Sequence, residues 1–168
     1  LYMSNRDMGF DSKNLLFANI VSNSKGSFEQ LRQNLLRHPE IADASLSDYI
    51  PFILPGGNDL RWEGAENDEK VFVRISNITY DFVPTFSMKI IAGRNFSRDF
   101  QSDGNKCLIN ETAVRVFRWE QPLGKHIPLR SGQEFEVIGV IKDYIPFSVH
   151  NAIEPHMYKL IPDSAGLS

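Results

Sequence analysis

The amino-acid sequence predicts an α+β fold made of two lobes. Short apolar runs rich in β-branched residues alternate with amphipathic segments of helical period, and the order strand, helix, strand occurs near both ends of the chain. Between these two units lies a region of glycine-containing turns and alternating strands. The 168 residues, 42% of them hydrophobic, suit one compact domain or two small lobes that share a core.

The first strand-helix-strand unit begins with an apolar run over residues 14–21, which predicts a strand. Ser27 is the expected N-cap of an amphipathic helix, because large apolar residues recur at helical spacing after it until Pro39. Residues 41–52 predict a second strand, which reaches a proline and continues into a loop.

The middle region alternates breaks, short strands and one helical turn. In chain order the pattern predicts a break at 54–59, a short strand at 60–64, a half-exposed strand at 71–78, a helical turn at 79–86, an apolar strand with a glycine turn at 88–96 and a polar surface loop at 97–106. The strand at 71–78 is predicted from its alternating β-branched residues, and Pro84 limits the length of the helical turn.

The last third of the chain repeats the order of the first unit. It predicts a buried strand at 107–110, a short helix at 111–119, a long alternating strand at 134–143 and a closing strand at 156–161. Within a single domain over residues 1–168, we divide the chain into lobe A, residues 13–53 with 134–162, and lobe B, residues 56–133.

Composition and charge exclude nucleic acid as a partner. The formal net charge is −3 and the pI is about 5.8, and the lysines and arginines are scattered rather than gathered into a basic surface. No apolar run approaches the ~18 residues that a membrane span requires. The chain starts without methionine, so we expect it to be part of a longer protein.

No pattern in the sequence predicts catalysis, a cofactor or a metal site. Residues 122–126 lack the earlier glycine and the final Ser or Thr of a phosphate-binding loop. The single cysteine, Cys107, lies in an apolar run and is expected to be a buried thiol. The histidines show no ligand spacing, and His150 and His156 meet Asp143 only if the chain folds back.

The sequence around Gly93 predicts a structural turn rather than an anion site. Gly93 supplies the positive φ of a tight turn, and Arg94 is expected to pair with Asp99 or Glu111. One arginine without a nest of backbone donors makes a poor anion site. Gly124 is expected to form a second turn, between a helix and a strand.

The string Asp-Tyr-Ile-Pro-Phe occurs twice, at 48–52 and 143–147, each time where a predicted strand ends. Proline holds the backbone extended, and Tyr and Phe offer a large contact area at low entropic cost. We hypothesise that both copies face a partner or a second protomer; the alternative is that they cover the ends of the core. The candidate interface residues are Tyr49, Ile50, Pro51, Phe52, Tyr144, Ile145, Pro146 and Phe147.

Four segments together point to a family. They are GFDSKNLLFANI at 9–20, ITYDFVPTFSMKIIAGRNFS at 78–97, LINETAVRVFRWEQPLGKHIPL at 108–129 and FEVIGVIKDY at 135–144. In order and approximate spacing, these segments resemble the MacB-like periplasmic core domain of ABC transporter permeases of the FtsX and MacB type. The resemblance covers about residues 9–161. It implies a porter-like lobe of strand-helix-strand units, a smaller β-rich lobe inserted in the middle of the chain, and a permease that dimerises.

The resemblance also implies a location and a function. It places the domain on the periplasmic side of the cytoplasmic membrane, as part of an integral membrane protein. The expected partners are the transmembrane helices of its own full-length chain, a cytoplasmic ABC ATPase, a second permease protomer, and a periplasmic adaptor or cargo. Since ATP hydrolysis is expected in the separate ATPase, we expect no enzyme activity and no cofactor in this chain.

Two functions follow as alternatives from this reasoning. In the first, the domain couples ATP-driven movement of the transmembrane helices to efflux, or to lipoprotein or peptide export, by moving as a rigid body. In the second, it is an extracytoplasmic ligand-sensing module that binds a small molecule or peptide between its lobes.

Overall fold

The computed structural model describes residues 14–20, 27–49, 55–67, 69–144 and 152–161. Within these residues the fold combines a seven-stranded mixed sheet with short helices. In chain order the elements are α1 (Phe28–Leu35), β1 (Gly57–Leu60), β2 (Val71–Ile78), α2 (Phe82–Thr85), β3 (Ile90–Gly93), a 3-10 helix (Gln101–Asn105), β4 (Lys106–Asn110), α3 (Glu111–Val116), β5 (His126–Pro128), β6 (Glu134–Ile141) and β7 (His156–Leu160).

The last of the described strands, β7, lies in the middle of the sheet. The strand order is β1-β2-β7-β4-β6-β3, and β5 also pairs with β6. Strand β7 runs parallel to β2 and antiparallel to β4, whereas β4 and β6 are parallel to each other. Strands β3 and β5 pair antiparallel with opposite ends of β6, and β3 pairs with no other strand of the described part of the chain.

Helix α1 begins where the sequence predicts. The Ser27 hydroxyl accepts a hydrogen bond from the backbone N–H of Gln30, and the Gln30 side chain accepts one from the backbone N–H of Ser27. This capping box satisfies two donors that the first turn of a helix leaves unpaired. Helix α3 has a similar start, because the Asn110 side chain accepts from the backbone N–H of Ala113.

Apolar side chains cover both faces of the sheet. On β4, Cys107 and Ile109 belong to one core cluster and Leu108 to another, and all three are fully buried. A continuous apolar run is what a strand needs when both of its faces are covered. The first cluster contains the stacked pair Trp62 and Phe117, and the second is built around α2 and the end of β7.

Two predicted strands are wrong in the described residues. Residues 14–20 form no strand, and 41–46 have no regular structure, with only an isolated bridge between Ser47 and Ile78 beyond them. In the second segment, side chains bond both backbone groups of Ala44. The Arg32 guanidinium donates to the carbonyl of Ala44 at 3.2 Å, and the backbone N–H of Ala44 donates to Asp43 at 2.8 Å.

Two smaller predictions also need correction. The first strand of the middle region is β1, over Gly57–Leu60, which includes the second half of the predicted break at 54–59 and starts three residues before the predicted 60–64. The predicted surface loop 97–106 contains the 3-10 helix, because Asp103 is fully buried and draws this segment onto the sheet.

Mixed α and β content is confirmed, and strands assigned to both predicted lobes join one sheet. Strands β6 and β7 come from predicted lobe A, whereas β1 to β5 come from predicted lobe B. The division into two lobes, with its boundaries, stays a prediction. Among the described helices, none combines the length and the apolar content needed to cross a membrane.

Candidate functional site

Tyr49 and Tyr144, one from each Asp-Tyr-Ile-Pro-Phe string, meet inside the core. Both are buried, and their hydroxyl groups share a short hydrogen bond. The Tyr158 ring on β7 lies in the same core cluster and is fully buried. The other six candidate interface residues lie outside the described residues: Ile50, Pro51, Phe52, Ile145, Pro146 and Phe147. A contact with a partner stays a prediction for all eight.

The aspartate of each string holds the neighbouring element. Asp48 accepts a hydrogen bond from the backbone N–H of Asn77, at the end of β2, at 2.8 Å. Asp143 accepts from the backbone N–H and the hydroxyl of Thr112, in the first turn of α3, at 3.0 and 2.7 Å. The two strings therefore begin alike, with the aspartate bonded to a neighbour and the next tyrosine turned into the core.

Burial controls the protonation of this tyrosine cluster. It raises the pKa values of Tyr49, Tyr144 and Tyr158 above the ordinary tyrosine value. All three hydroxyl groups are therefore protonated at neutral pH. The short bond between Tyr49 and Tyr144 is a bond between neutral groups, and it carries no charge into the core.

His156 lies beside this cluster and forms a buried pair with Ser76. Its Nε2 is 2.7 Å from the Ser76 hydroxyl, and its ring stacks on Tyr158 at 4.2 Å and lies 5.4 Å from the ring of Tyr49. Burial, assisted by the charge of Arg74, lowers the pKa of His156 to about 3. A neutral imidazole that is covered by two aromatic rings has no access to a substrate, so the pair is structural.

Arg94 follows the turn at Gly93 and binds Asp103 with both of its terminal nitrogens. Gly93 has φ +70°, as a tight turn requires. Arg94 Nη1 and Nη2 lie 2.8 and 2.7 Å from the Asp103 oxygens, and the guanidinium lies 4.1 Å from the centre of the Phe100 ring. The partner of Arg94 is thus Asp103, and the predicted pairing with Asp99 or Glu111 is wrong.

The Asp103 carboxylate is satisfied from two sides. Burial by itself would raise the pKa of Asp103, but the Arg94 guanidinium and the backbone N–H of Ser97 at 3.0 Å outweigh it and lower that pKa. The Arg94 guanidinium also donates to the carbonyl of Asn95 at 3.0 Å, so its described hydrogen bonds lie within residues 95–103. A structural role for this turn stays a prediction. At the other predicted turn, Gly124 has φ +80° and donates its N–H to the carbonyl of Val137 at 2.8 Å.

A surface groove of about 400 Å³ lies between β3 and α3. Its apolar lining consists of Ile91, Ala92, Val114, Pro122 and Val140. Charged side chains complete the lining: Glu111, Arg115 and Asp143. Sequence reasoning missed this groove, because its lining comes from four separate segments whose order in the sheet was not predictable.

The charged end of the groove is organised around Asp143. Arg115 Nη2 donates to Asp143 at 3.0 Å and to the Thr112 hydroxyl at 2.6 Å. The Glu111 carboxylate accepts from the backbone N–H of Asp143 at 2.8 Å. Two bonds therefore orient the Arg115 guanidinium, although the side chain is 71% exposed.

The sequence model of the MacB-like periplasmic core domain family matches residues 4–156, which is most of the chain. The chain belongs to the MacB-like periplasmic core domain family. Its members are periplasmic domains of ABC transporter permeases of the MacB and FtsX type. The resemblance noted from four sequence segments is confirmed.

Solved structures share the fold of this MacB-like domain. The periplasmic region of MacB from Actinobacillus actinomycetemcomitans matches with a TM-score of 0.56 and 17% identity, over 82% of this chain and 56% of that one. The extracellular domain of the noncanonic ABC-type transporter YknZ from Gram-positive bacteria matches with a TM-score of 0.53 and 20% identity, over 81% and 63%. A domain of a putative permease protein from Porphyromonas gingivalis matches with a TM-score of 0.52 and 20% identity, over 83% and 58%.

These similarities show the fold alone. The MacB-like domain described here spans 56% to 63% of the length of the three solved chains. No curated protein sequence matches it significantly.

Within the described part of this MacB-like domain, no three His, Cys, Asp or Glu side chains gather as metal ligands do. His156 bonds Ser76 and Asp143 bonds Thr112, whereas His150 lies outside the described residues. Cys107 is fully buried, and burial raises the pKa of its thiol, which makes it a poor nucleophile. The buried Cys107 thiol is thus structural, as the sequence predicts.

Proposed function

We propose that this chain couples ATP-driven movement of a permease's transmembrane helices to the handling of a cargo or partner in the periplasm. The family match over residues 4–156 is the observation that carries the proposal. The task is efflux, or export of a lipoprotein or peptide. The partners are the helices of the full-length chain, a cytoplasmic ABC ATPase, a second permease protomer, and an adaptor or the cargo itself.

The position of β7 supports transmission of movement. This strand has bonded neighbours on both sides, β2 and β4, and the backbone N–H of Ile161 just after it donates to the carbonyl of Ile78 at 2.7 Å. A displacement applied to the chain near Ile161 therefore acts on the centre of the sheet. Since a close-packed core deforms little, the sheet is expected to move as one body.

Pulsed electron paramagnetic resonance on the full-length permease with its ATPase tests this proposal. One spin label is attached at Ser131→Cys, between β5 and β6, and a second in a neighbouring transmembrane helix. The buried native Cys107 does not compete for the reagent. We expect the distance between the labels to differ between the ATP-bound, vanadate-trapped and nucleotide-free states.

A matched pair of labels inside the domain is the control. Ser131→Cys with Glu66→Cys joins two exposed turns of the same sheet, so their distance should stay constant in every nucleotide state. An unchanged distance from the domain to the transmembrane helix in all states would contradict transmission. A change in this distance that occurs only when a small molecule or peptide is added, and that is the same in every nucleotide state, would instead support the ligand-sensing alternative.

A further inference from the structure

We propose that helix α1 is a latch, which opens away from α2 while the sheet stays folded, because ion pairs rather than core contacts fasten it. In the closed state the helix lies against Asp81, at the start of α2. In the open state this surface of α2 is exposed. The inference goes beyond the proposed function and does not depend on it, because opening requires neither nucleotide nor membrane.

Two arginines share the Asp81 carboxylate. Arg32, on α1, places its Nε 3.1 Å from Asp81, and Arg98, in the segment after β3, bonds both Asp81 oxygens at 3.0 and 2.6 Å. Arg98 also lies 3.5 Å from Glu29, in the first turn of α1. Asp43, in the segment after the helix, accepts from Arg32 at 2.9 Å. The five side chains therefore form one network that joins α1 to α2 and to the segment after β3.

Helix α1 contributes little to the apolar core. Phe28 is the one buried side chain of the helix, and the two core clusters of the described residues include neither Phe28 nor any other residue of α1. Strands β4 and β7, by contrast, contribute fully buried side chains to both clusters. When a contact opens, water rehydrates charged groups, whereas exposure of apolar side chains is unfavourable. Opening α1 should therefore cost less free energy than opening the sheet.

The chain after α1 has a fixed point about which the latch can move. Thr79, directly after β2, donates its backbone N–H and its hydroxyl to the carbonyl of Leu46 at 3.0 and 3.2 Å. The backbone N–H of Leu46 donates to the same hydroxyl at 3.0 Å. Residues 36–46 contain no helix or strand, so this stretch can change direction while Leu46 stays attached to the sheet.

Hydrogen exchange of the 168-residue chain, followed by mass spectrometry, tests the proposal. It compares peptides that cover residues 31–38 with peptides that cover β4 and β7. After correction for sequence, we expect the α1 amides to exchange at least about tenfold faster than those of the two strands, because local opening precedes global unfolding. Raising NaCl from about 0.05 to 0.5 M should speed exchange in α1 roughly two- to fivefold and leave the strands unchanged, since salt screens partly exposed charges.

Substitution of Arg32 locates the latch. Arg32→Met removes the charge and keeps an apolar stem, so residues 31–38 should exchange roughly three- to tenfold faster, with a weaker dependence on salt and with β4 unchanged. Arg32→Lys keeps the charge but loses the forked geometry, and its effect should lie between those of wild type and Arg32→Met. The matched control is Arg37→Met, because Arg37 is exposed just beyond the helix and forms none of these bonds.

Four outcomes would overturn the proposal. Equal exchange in α1 and β4 would mean that the helix opens only when the whole chain unfolds. Exchange in α1 that does not depend on salt would mean that ion pairs do not fasten it. Equal acceleration of α1 and β4 by Arg32→Met would make Arg32 a stabiliser of the whole fold. An effect of Arg37→Met as large as that of Arg32→Met would show that the charge of the helix matters, and not the network.

Discussion

The hydroxyl groups of Tyr49 and Tyr144 bond each other inside the core, although the two residues are 95 positions apart in the chain. Each tyrosine follows an aspartate that accepts a backbone hydrogen bond from a neighbouring element, so the two short strings share the same arrangement. The bond joins the segment before β1 to the segment after β6. Both segments are therefore fixed at one point of the sheet.

Removing either hydroxyl of this pair should destabilise the chain. We expect Tyr49→Phe and Tyr144→Phe each to lower the free energy of unfolding by about 1–2 kcal/mol, because each removes the buried hydrogen bond between the two hydroxyl groups. The double variant should cost less than the sum of the two, since both substitutions remove the same bond. Urea denaturation measures all three values, and strictly additive costs would contradict the pairing.

Tyr158→Phe provides the matched comparison for that series. The Tyr158 hydroxyl is buried in the same cluster, and its pKa is raised by burial and by its interactions with Tyr144 and Tyr49. Its removal leaves the bond between Tyr49 and Tyr144 in place, so we expect a smaller cost than that of Tyr49→Phe, about 0.5–1 kcal/mol. A loss as large as that of Tyr49→Phe would show that Tyr158 shares the bond.

The sequence predicts those elements whose signals are local. The helix that begins after Ser27 and the strand at 71–78 are confirmed, because capping residues and side-chain periodicity act within a few positions. The predicted strand at 41–52 is wrong in its described residues, where the Arg32 side chain bonds the carbonyl of Ala44 and only an isolated bridge joins Ser47 to Ile78. Composition does not show which partner a backbone group will find.

The candidate sites depend on contacts between distant parts of the chain. Repetition of one string suggested that Tyr49 and Tyr144 are equivalent, but not that they touch. The burial of Asp103 was not predictable from a polar stretch, because it depends on Arg94 nine residues earlier. The groove beside Arg115 requires the order of strands in the sheet, which no local pattern determines.

Acid should destabilise the chain through His156. In the folded chain burial lowers the pKa of His156 to about 3, whereas in the unfolded chain the imidazole takes up a proton near its ordinary value of about 6.5. Between these two values the unfolded state binds the extra proton, so stability falls as the pH falls. The expected slope is up to about 1.4 kcal/mol per pH unit.

Substitution of the histidine isolates this contribution. His156→Gln should reduce the slope of unfolding free energy against pH between about 5.5 and 6.5, a range that lies above the ordinary pKa values of Asp and Glu. His126→Gln is the control, because the His126 side chain is exposed. Urea denaturation at several pH values measures both, and equal slopes in His156→Gln and the wild type would refute the assignment.

The Arg94 and Asp103 pair should respond unequally to the loss of each partner. Arg94→Met leaves a fully buried carboxylate without its cation, and we expect a loss of about 3 kcal/mol at pH 7. Asp103→Asn leaves a guanidinium that is partly exposed to water, so its cost should be about 1–2 kcal/mol.

The pH dependence checks this explanation. The folded-state pKa of Asp103 lies below its ordinary value, so the stability of the pair is present above that ordinary value and is lost as the pH falls through the folded pKa. In Arg94→Met the buried carboxylate has lost its cation, so burial favours its protonated form, and the cost of the substitution should be smaller at pH 4 than at pH 7. Denaturant titrations at both pH values measure it, and an equal cost at the two would mean that the carboxylate charge contributes nothing.

The two predicted turn glycines should tolerate a methyl group very differently. Both have positive φ, +70° at Gly93 and +80° at Gly124, so Ala costs about 1–2 kcal/mol at either position. At Gly93 a Cβ atom would also lie 2.1 Å from the carbonyl oxygen of Ile138, whereas at Gly124 it would meet nothing within 4 Å. We therefore expect Gly124→Ala to lower Tm by only a few degrees, about 2–4 °C per kcal/mol. Gly93→Ala should lower Tm by at least twice as much, because β3 must separate from β6 to admit the methyl group. Differential scanning calorimetry compares the two, and equal shifts would show that β3 is not held this closely against β6.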